Sequence, residues 1–342
     1  MGLPVTIEEI ARLADVSRST VSRVLNNHPN VRGAVREKVL RVVREHNYTP
    51  NAAARSLASS RSYALSLVIP RSAAAFFADP FFPQVIQGIS EACTNAGYVL
   101  MLSMLSAEME QLFYQRVVRG RHFDGVIMLS SDIDDPLLPQ LVRDGVPLVL
   151  IGRHPYLENI STIDSENREG ARTAVEHLLN LGHRRVACIT GPLQMQSAVD
   201  RRDGYKQAMM SRGLPIDPTL IVEGDYSQES GFRAMQQLIA NPAGQPTAVF
   251  ASSDAMALGA LAAAHAAGLQ VPEQLAVVGF DDVSAAAFSS PPLTTMRQPS
   301  SELGLHAVRV LLSRIDDPSQ PPVTLRLPTT LVVRASCGAG QR

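Results

Sequence analysis

Arg18, Ser19, Ser22 and Arg23 lie within one short stretch whose remaining positions include Val21, Val24 and Leu25. In a helix, the two guanidiniums and two hydroxyls share one face while the three aliphatic side chains turn to the other. Such a polar face suits double-stranded DNA. An arginine fork matches the two major-groove acceptors of guanine, and hydroxyls at helix starts and flanks bond phosphates. Arg18, Ser19 and Arg23 are accordingly assigned to base edges. Thr6, Ser17, Thr20, Ser22 and Asn26 are assigned to phosphate positioning.

The elements that must hold this face are legible on either side of it. Thr6 followed by Glu9 forms a capping box that starts a first helix. Ile7, Ile10, Ala11 and Ala14 recur at helical spacing and give it a buried stripe. Asp15-Val16 makes a tight turn, Val16 plugs the corner, and Ser17 caps the second helix. A third helix is predicted over 34–47, with Val35, Val39, Val42 and Val43 packing on the first two. The layout is a helix-turn-helix, whose second helix enters the major groove.

Any small helical domain has an apolar stripe and a polar face, so the pattern alone does not decide. Charge does. Residues 1–61 carry 10 Lys+Arg against 5 Asp+Glu, and the remainder carries 21 against 27. A chain of net charge −1 has gathered its positive charge on one small segment, the electrostatic footprint of a nucleic-acid arm.

The 342 residues allow two or three domains, and 45% hydrophobic with 18% charged residues describes a globular protein. No window approaches the roughly 18 apolar residues of a membrane span, and no apolar signal core precedes the first helix. Cys93, Cys188 and Cys337 are far apart without CxxC spacing, which excludes a disulfide framework or zinc site as an expectation. Cys93 and Cys188 are expected to be buried and Cys337 to be a free thiol in a tail. Together these features place the protein in a reducing cytoplasm. No phosphate loop, metal cluster or nucleophile elbow is present in the sequence, so neither an enzyme nor a cofactor is expected.

From Tyr63 onward, aliphatic runs at 64–70, 98–103, 125–129, 148–151, 186–190, 247–251, 275–279 and 330–334 alternate with helical segments such as 84–96 and 172–181. Near-continuous aliphatic strands between helices indicate parallel sheets covered on both faces by right-handed βαβ units. About 280 residues is too many for one such sheet, so two lobes are expected. The fold class is therefore α/β, preceded by three helices.

The chain resembles the lactose-repressor family (LacI/GalR-type) of transcriptional regulators. The resemblance is carried by Thr20-Val21-Ser22-Arg23-Val24-Leu25-Asn26, by Asn47-Tyr48-Thr49-Pro50-Asn51, and by Ala54-Arg55-Ser56-Leu57. It continues to the last strand. It implies a DNA-binding domain at 1–50, a hinge helix at 51–61 and a core at 62–342 like that of periplasmic sugar-binding proteins. The lobes would comprise 62–162 plus 292–322, and 163–290 plus 323–342. The family usually starts its third helix with serine or threonine. Here Arg32-Gly33 stands there, so a cap is missing and Arg32 either meets a phosphate or is simply solvated.

The hinge, Ala52-Ala53-Ala54-Arg55-Ser56-Leu57-Ala58, has strong helix propensity but is too short to be helical alone. By resemblance it pairs with the same segment of a second subunit in the minor groove. Asn51, Ala54 and Leu57 would touch DNA there, with Leu57 as the wedge between base pairs. The alternative for Leu57 is an ordinary leucine on an amphipathic linker.

Ligands of open α/β sheets sit at the carboxyl ends of strands. By family position, Phe81, Phe82, Arg153, Arg201, Tyr226 and Asp281 would hold the effector. Alternatives stand beside these assignments: Phe81 and Phe82 as core, and Arg201 with Asp281 as a structural ion pair. Asp254 reads as a helix N-cap, and Ser253 stands where sugar-binding members often carry asparagine. Gly152-Arg153 and Asp164-Ser165-Glu166-Asn167 resemble the maltose- and α-glucoside-responsive branch. His177 and His183 match helix-packing positions.

The implied function is a homodimeric repressor that leaves a palindromic operator when a small sugar binds. No leucine heptad follows 330–334, so a dimer rather than a tetramer is expected. The rival is a solute-binding protein of a sugar transport system, which would carry an export signal and lack the basic arm.

Overall fold

The computed structural model describes residues 5–25, 28–46, 48, 61–70, 77, 79–120 and 122–339. The chain divides into two units between residues 62 and 63. In the first unit, α1 (Ile7–Leu13), α2 (Arg18–Leu25) and α3 (Gly33–Glu45) enclose a small core. Ile10, Ala14, Val21, Val24 and Val39 form its centre, with Val16 and Val43 packed against it. Thr6 caps α1 by accepting the Glu9 amide, and Ser17 caps α2 by accepting the Thr20 amide at 3.2 Å. Asp15 takes the left-handed conformation of the turn, at φ 46°, which aspartate tolerates better than most residues. Arg32 precedes α3 without a side-chain cap. Arg36 of α3 donates to the carbonyls of Val24 and His28, tying α3 to the end of α2.

Because Ser17 supplies one of the few bonds that satisfy the first-turn amides of α2, Ser17→Ala is expected to cost about 1 kcal/mol of local stability. Hydrogen exchange of the α2 amides in the full chain measures this; unchanged protection would contradict the cap's role.

The second unit holds two six-stranded sheets. The first contains β1 (Ala64–Ile69), β2 (Val99–Met104), β3 (Gly125–Leu129), β4 (Leu148–Ile151), β5 (Ser161–Ser165) and β11 (Thr324–Leu327). Its order is β11-β5-β4-β3-β1-β2, all parallel. The second contains β6 (Val186–Thr190), β7 (Ile221–Glu223), β8 (Ala248–Ala251), β9 (Ala276–Asp281), β10 (Thr294–Arg297) and β12 (Thr330–Val332). Its order is β12-β10-β9-β8-β6-β7, parallel except that β12 runs antiparallel to β10.

Burial on both faces explains the aliphatic runs. Leu65, Leu67 and Ile69 of β1 meet α4 (Phe81–Asn95) and α12 (Ser300–Asp316) on one face of the first sheet. Val68 turns to the other face, under α5 (Ala107–Phe113) and α6 (Leu137–Arg143). α4 and α12 approach so closely at Gly88 that a Cβ there would lie 1.9 Å from the Ser301 carbonyl oxygen. In the second lobe, α7 (Asn167–Asn180) and α8 (Gln196–Ser211) cover one face of the sheet. α9 (Gln228–Ile239) and α10 (Asp254–Ala266) cover the other, and α11 (Ser284–Phe288) follows β9.

The structure shifts several boundaries. The crossings between lobes were expected near 162, 291 and 323. They fall instead at residue 166, at 298–299 and at 328–329, because β5 and β11 complete the first sheet and β10 belongs to the second. Helix α4 starts at Phe81, not 84. The Asp79 carboxylate accepts the Phe81 amide at 2.9 Å, and Pro83 sits in the first turn, where its missing N–H is not needed. Cys337 is not a tail thiol. It is buried in a short turn, with its sulfur against His177 and Thr294. Cys93 and Cys188 are buried too. His183 bonds Thr247 at 3.0 Å. Among the described residues no helix is long and apolar enough to cross a membrane.

Candidate functional site

Two surfaces collect the residues singled out in the sequence. On α2, Ser17, Arg18, Ser19 and Arg23 are exposed, while Thr20 and Ser22 are half-buried beside them and Thr6 is exposed at the start of α1. The Ser17 hydroxyl also contacts the hydroxyls of Ser19 and Thr20 at 2.8 Å each. Arg18 reaches Glu8 at 3.3 Å, an exposed pair that contributes little and breaks easily. Asn26, Asn51, Ala54 and Leu57 lie outside the described residues.

The second surface is a cleft between the lobes, with a cavity of about 420 Å³, within the range usual for small-ligand sites. Phe81, Phe82, Arg153, Arg201, Tyr226 and Asp281 all line it. They come from the first turn of α4, the end of β4, α8, the loop after β7, and the last residue of β9. Phe82 is buried in the core of the first lobe, whereas Phe81 is half-buried and offers its ring to the cavity, the two rings meeting edge to face. Tyr226 lies over Gly191, where a Cβ would come within 2.1 Å of the ring.

Arg201 is the centre of the polar side. Its Nε donates to Asn167 Oδ1 at 2.8 Å and Nη1 donates to the Ser252 carbonyl at 2.6 Å. The guanidinium stacks 3.9 Å from the centre of the Phe280 ring and stands 3.7 Å from Asp281. The structural pairing of Arg201 with Asp281 and their presence in the cavity wall therefore coexist. Burial pushes the Asp281 carboxyl well above the usual range, and Arg201 pulls it back. Gln298 donates to Asp281 at 2.6 Å. Arg153 is committed as well: its guanidinium forms a two-pronged bond to Asp200 on the opposite lobe.

Asp254 departs from its expected part. Ser253 is the N-cap of α10, accepting the Met256 amide at 3.2 Å. The Asp254 carboxylate is fully buried and accepts from Thr295 at 2.5 Å and from the Val283 amide at 2.9 Å. An aspartate one position into the helix is carried inward by its turn, whereas the serine before it has the extended backbone of a cap.

The structure adds residues that the sequence did not single out as contacts: Asp164, Ser165, Asn167 and Gln298 line the cavity. Asp164 is held up to about 6 by burial and by the charge of Asp200, with Ser165, Arg153 and Arg201 opposing. The Ser165 hydroxyl is buried without a partner. Asp164, Ser165 and Asn167 lie at or just after the end of β5 and Gln298 just after β10, a positional signal hidden because both strands are too polar to read as such. Ser130, Tyr226 and Asp281 have positive φ angles of 62°, 69° and 128°. Backbone strain of this kind concentrates where side chains must be aimed at a ligand. Among the described residues, no cluster of three or more His, Cys, Asp or Glu side chains is arranged to hold a metal.

Comparison with known proteins fits both surfaces. The model of bacterial regulatory proteins of the lacI family matches residues 6–51, and that of the periplasmic binding protein-like domain matches 175–337. The HTH-type transcriptional regulator CelR of Thermobifida fusca is 40% identical over 333 residues, 97% of this chain and 98% of that one. A structure of a transcriptional regulator CelR–cellobiose complex aligns with a TM-score of 0.78 at 38% identity, covering 97% of this chain and 99% of the other. The lac repressor dimer bound to operator and the anti-inducer ONPF aligns with a TM-score of 0.83 at 31% identity, covering 98% and 99%. With a helix-turn-helix at its start, two sheet-based lobes later in the sequence and relatives matched over nearly their whole length, the chain belongs to the lacI family of bacterial regulatory proteins.

Proposed function

We propose that the protein is a homodimeric transcriptional repressor that binds a palindromic operator through α2 and releases it when a sugar enters the cleft. The observation that carries this reading is the cavity itself. It unites aromatic rings, a buried arginine and buried carboxylates from both lobes, in a chain that also bears a basic helix-turn-helix. Rings suit the apolar face of a pyranose, and carboxylates accept paired hydroxyls. The helix-turn-helix match at 6–51 disfavours a transport solute-binding protein. The resemblance around Gly152-Arg153 and 164–167 supports a maltose-type disaccharide. The cellobiose held by the CelR relative supports a β-linked one, and we favour the latter.

In this reading the ligand bridges Phe81 and Asp164 of one lobe and Arg201 and Asp281 of the other, changing the angle between lobes. The paired segments at 51–59 then lose the geometry in which they coil together on DNA. A coupling of about 1–3 kcal/mol, or roughly 5- to 150-fold in affinity, is typical of such linkage. A fluorescence-anisotropy titration of selected operator DNA with and without cellobiose or maltose tests it, with light scattering for the dimer. Weakening of operator binding by either sugar is the expected result. Tighter binding with sugar would replace induction by corepression, and no response to any sugar would remove the effector assignment.

The raised Asp164 gives this site a pH dependence. Its folded value of about 6 exceeds the ordinary one of 3.8, so in the empty protein its contribution to stability falls as pH climbs between those values. A sugar hydroxyl donating to the carboxylate favours the ionised form. Affinity should therefore rise from pH 5 to pH 7 and then level off. Calorimetric titration across that range measures it, and Asp164→Asn should flatten the profile.

A further inference from the structure

Two cationic side chains stand among the described residues lining the cavity, Arg153 and Arg201, and each already has a carboxylate partner. Arg201 is spread over Asn167, the Ser252 carbonyl, Asp281 and the face of Phe280. Arg153, from the end of β4, directs Nε to Asp200 Oδ2 at 2.8 Å and an Nη nitrogen to Asp200 Oδ1. A two-pronged arginine–carboxylate pair occupies one of the two edges that could grip a phosphate or a sugar acid and offsets the charge of the whole guanidinium. Asp200 belongs to α8 on the other lobe, is 3% exposed, and lines not this cavity but an adjoining one that shares Arg153, Asp164, Ser165 and Asn167 with it. Arg168 and Gln196 also reach Asp200, each at 3.3 Å, so its carboxylate is fixed from several directions.

The other charged side chains of the wall are all acidic. Asp79, Asp164, Asp225, Asp281 and Glu229 face the cavity, Asp164 and Asp281 deeply buried. An anionic ligand would meet these carboxylates with both guanidiniums already offset by Asp200 and Asp281, in a setting where charges are poorly screened. A neutral polyol meets acceptors for its hydroxyls instead. Burial and neighbouring negative charge already lift Asp164 to about 6, and a further anion nearby would worsen that repulsion.

We propose that Asp200 is a specificity-determining residue: by pairing with Arg153 and offsetting its charge, it makes the cavity accept neutral sugars and reject their phosphorylated or carboxylated forms. The inference rests on the sugar reading above and deepens it. Asp200 acts through Arg153 and does not itself touch the ligand, so its signature is a change in selectivity rather than a uniform loss of binding.

The test uses the full-length dimer and calorimetric titration with cellobiose, maltose and ribose, each beside its own phosphate ester. The wild-type protein is expected to bind at least one neutral sugar and to bind the matching phosphate at least 100-fold more weakly. Asp200→Asn keeps the shape and removes the charge. It should narrow that ratio at least tenfold by strengthening the phosphate, and adding Arg153→Gln should cancel the gain. Operator binding verifies that each variant is folded, and Asp200→Ser replaces Asp200→Asn if the latter does not fold. A wild-type protein that binds a phosphate as tightly as its parent sugar overturns the inference, as does an unchanged ratio in the Asp200 variants. If no sugar binds in either form, the sugar reading itself fails and the inference falls with it, an outcome distinct from the other two.

Discussion

Replacing Arg201 with alanine is expected to abolish ligand binding in the proposed site and to lower the unfolding free energy by about 3–5 kcal/mol, the usual cost of removing one partner from a buried pair. The guanidinium is 6% exposed and joins three groups that are almost wholly buried: Asn167, the Ser252 carbonyl and Asp281. It also covers the face of Phe280, so alanine opens a gap as well as orphaning acceptors. Asp281 can soften the blow by taking up a proton, since burial already raises its carboxyl. The loss should therefore be smaller at pH 5 than at pH 8. Urea denaturation at the two pH values and calorimetric ligand titration measure both parts. Arg201→Lys should fall between, because a lysine cannot reproduce the planar fork. A stability change under 1 kcal/mol, or unaltered ligand affinity, would refute the central place given to this residue.

The second large effect concerns DNA. Arg18→Ala and Arg23→Ala together should weaken operator binding by about 2–6 kcal/mol, taking roughly 1–3 kcal/mol for each bidentate base contact. That corresponds to roughly 30-fold to 3 × 10⁴-fold, with a loss of preference for operator over unrelated DNA. Stability should hold to within about 0.5 kcal/mol, as for other exposed positions away from special features, because the Arg18–Glu8 pair is open to solvent. Anisotropy at a fixed salt concentration reads the affinity, and the same titration between 50 and 200 mM salt should show a fall of roughly 10³–10⁵ for the parent protein. An operator-to-random ratio unmoved by both substitutions would show that these arginines touch only phosphates.

How far the sequence foretold this molecule depended on the chemistry of each segment. Gly125–Leu129, Leu148–Ile151 and Val186–Thr190 are aliphatic on both faces, because helices cover both sides of the sheet, and their limits could be read directly. Ser161–Ser165, Thr294–Arg297 and Thr324–Leu327 could not. Each is short and largely polar, and β11 finds its partner β5 about 160 residues earlier in the chain. No local pattern announces such a pairing. The displaced crossings follow from these missed strands.

The site shows the same division. Phe81, Phe82, Arg153, Arg201, Tyr226 and Asp281 could be named from position and brought to one cavity by the fold. The attachment of Arg153 to Asp200 is a meeting of two lobes, which spacing along the chain does not disclose. Asp254 was misassigned because Ser253 and Asp254 are both good caps by residue type, and the backbone angles that choose between them are visible only in the fold.

The late return of β11 to the edge of β5 bears on how the molecule is made. Translation runs at about 5–20 residues per second, so β5 waits on the order of 10–30 s on the ribosome before its neighbour is synthesised. Throughout that interval the nascent first lobe offers an open hydrogen-bonding margin, a place where chaperones or another growing chain can engage. The serine and threonine content of that margin makes it a poor adhesive for stray hydrophobic strands, which reconciles a discontinuous lobe with safe biosynthesis.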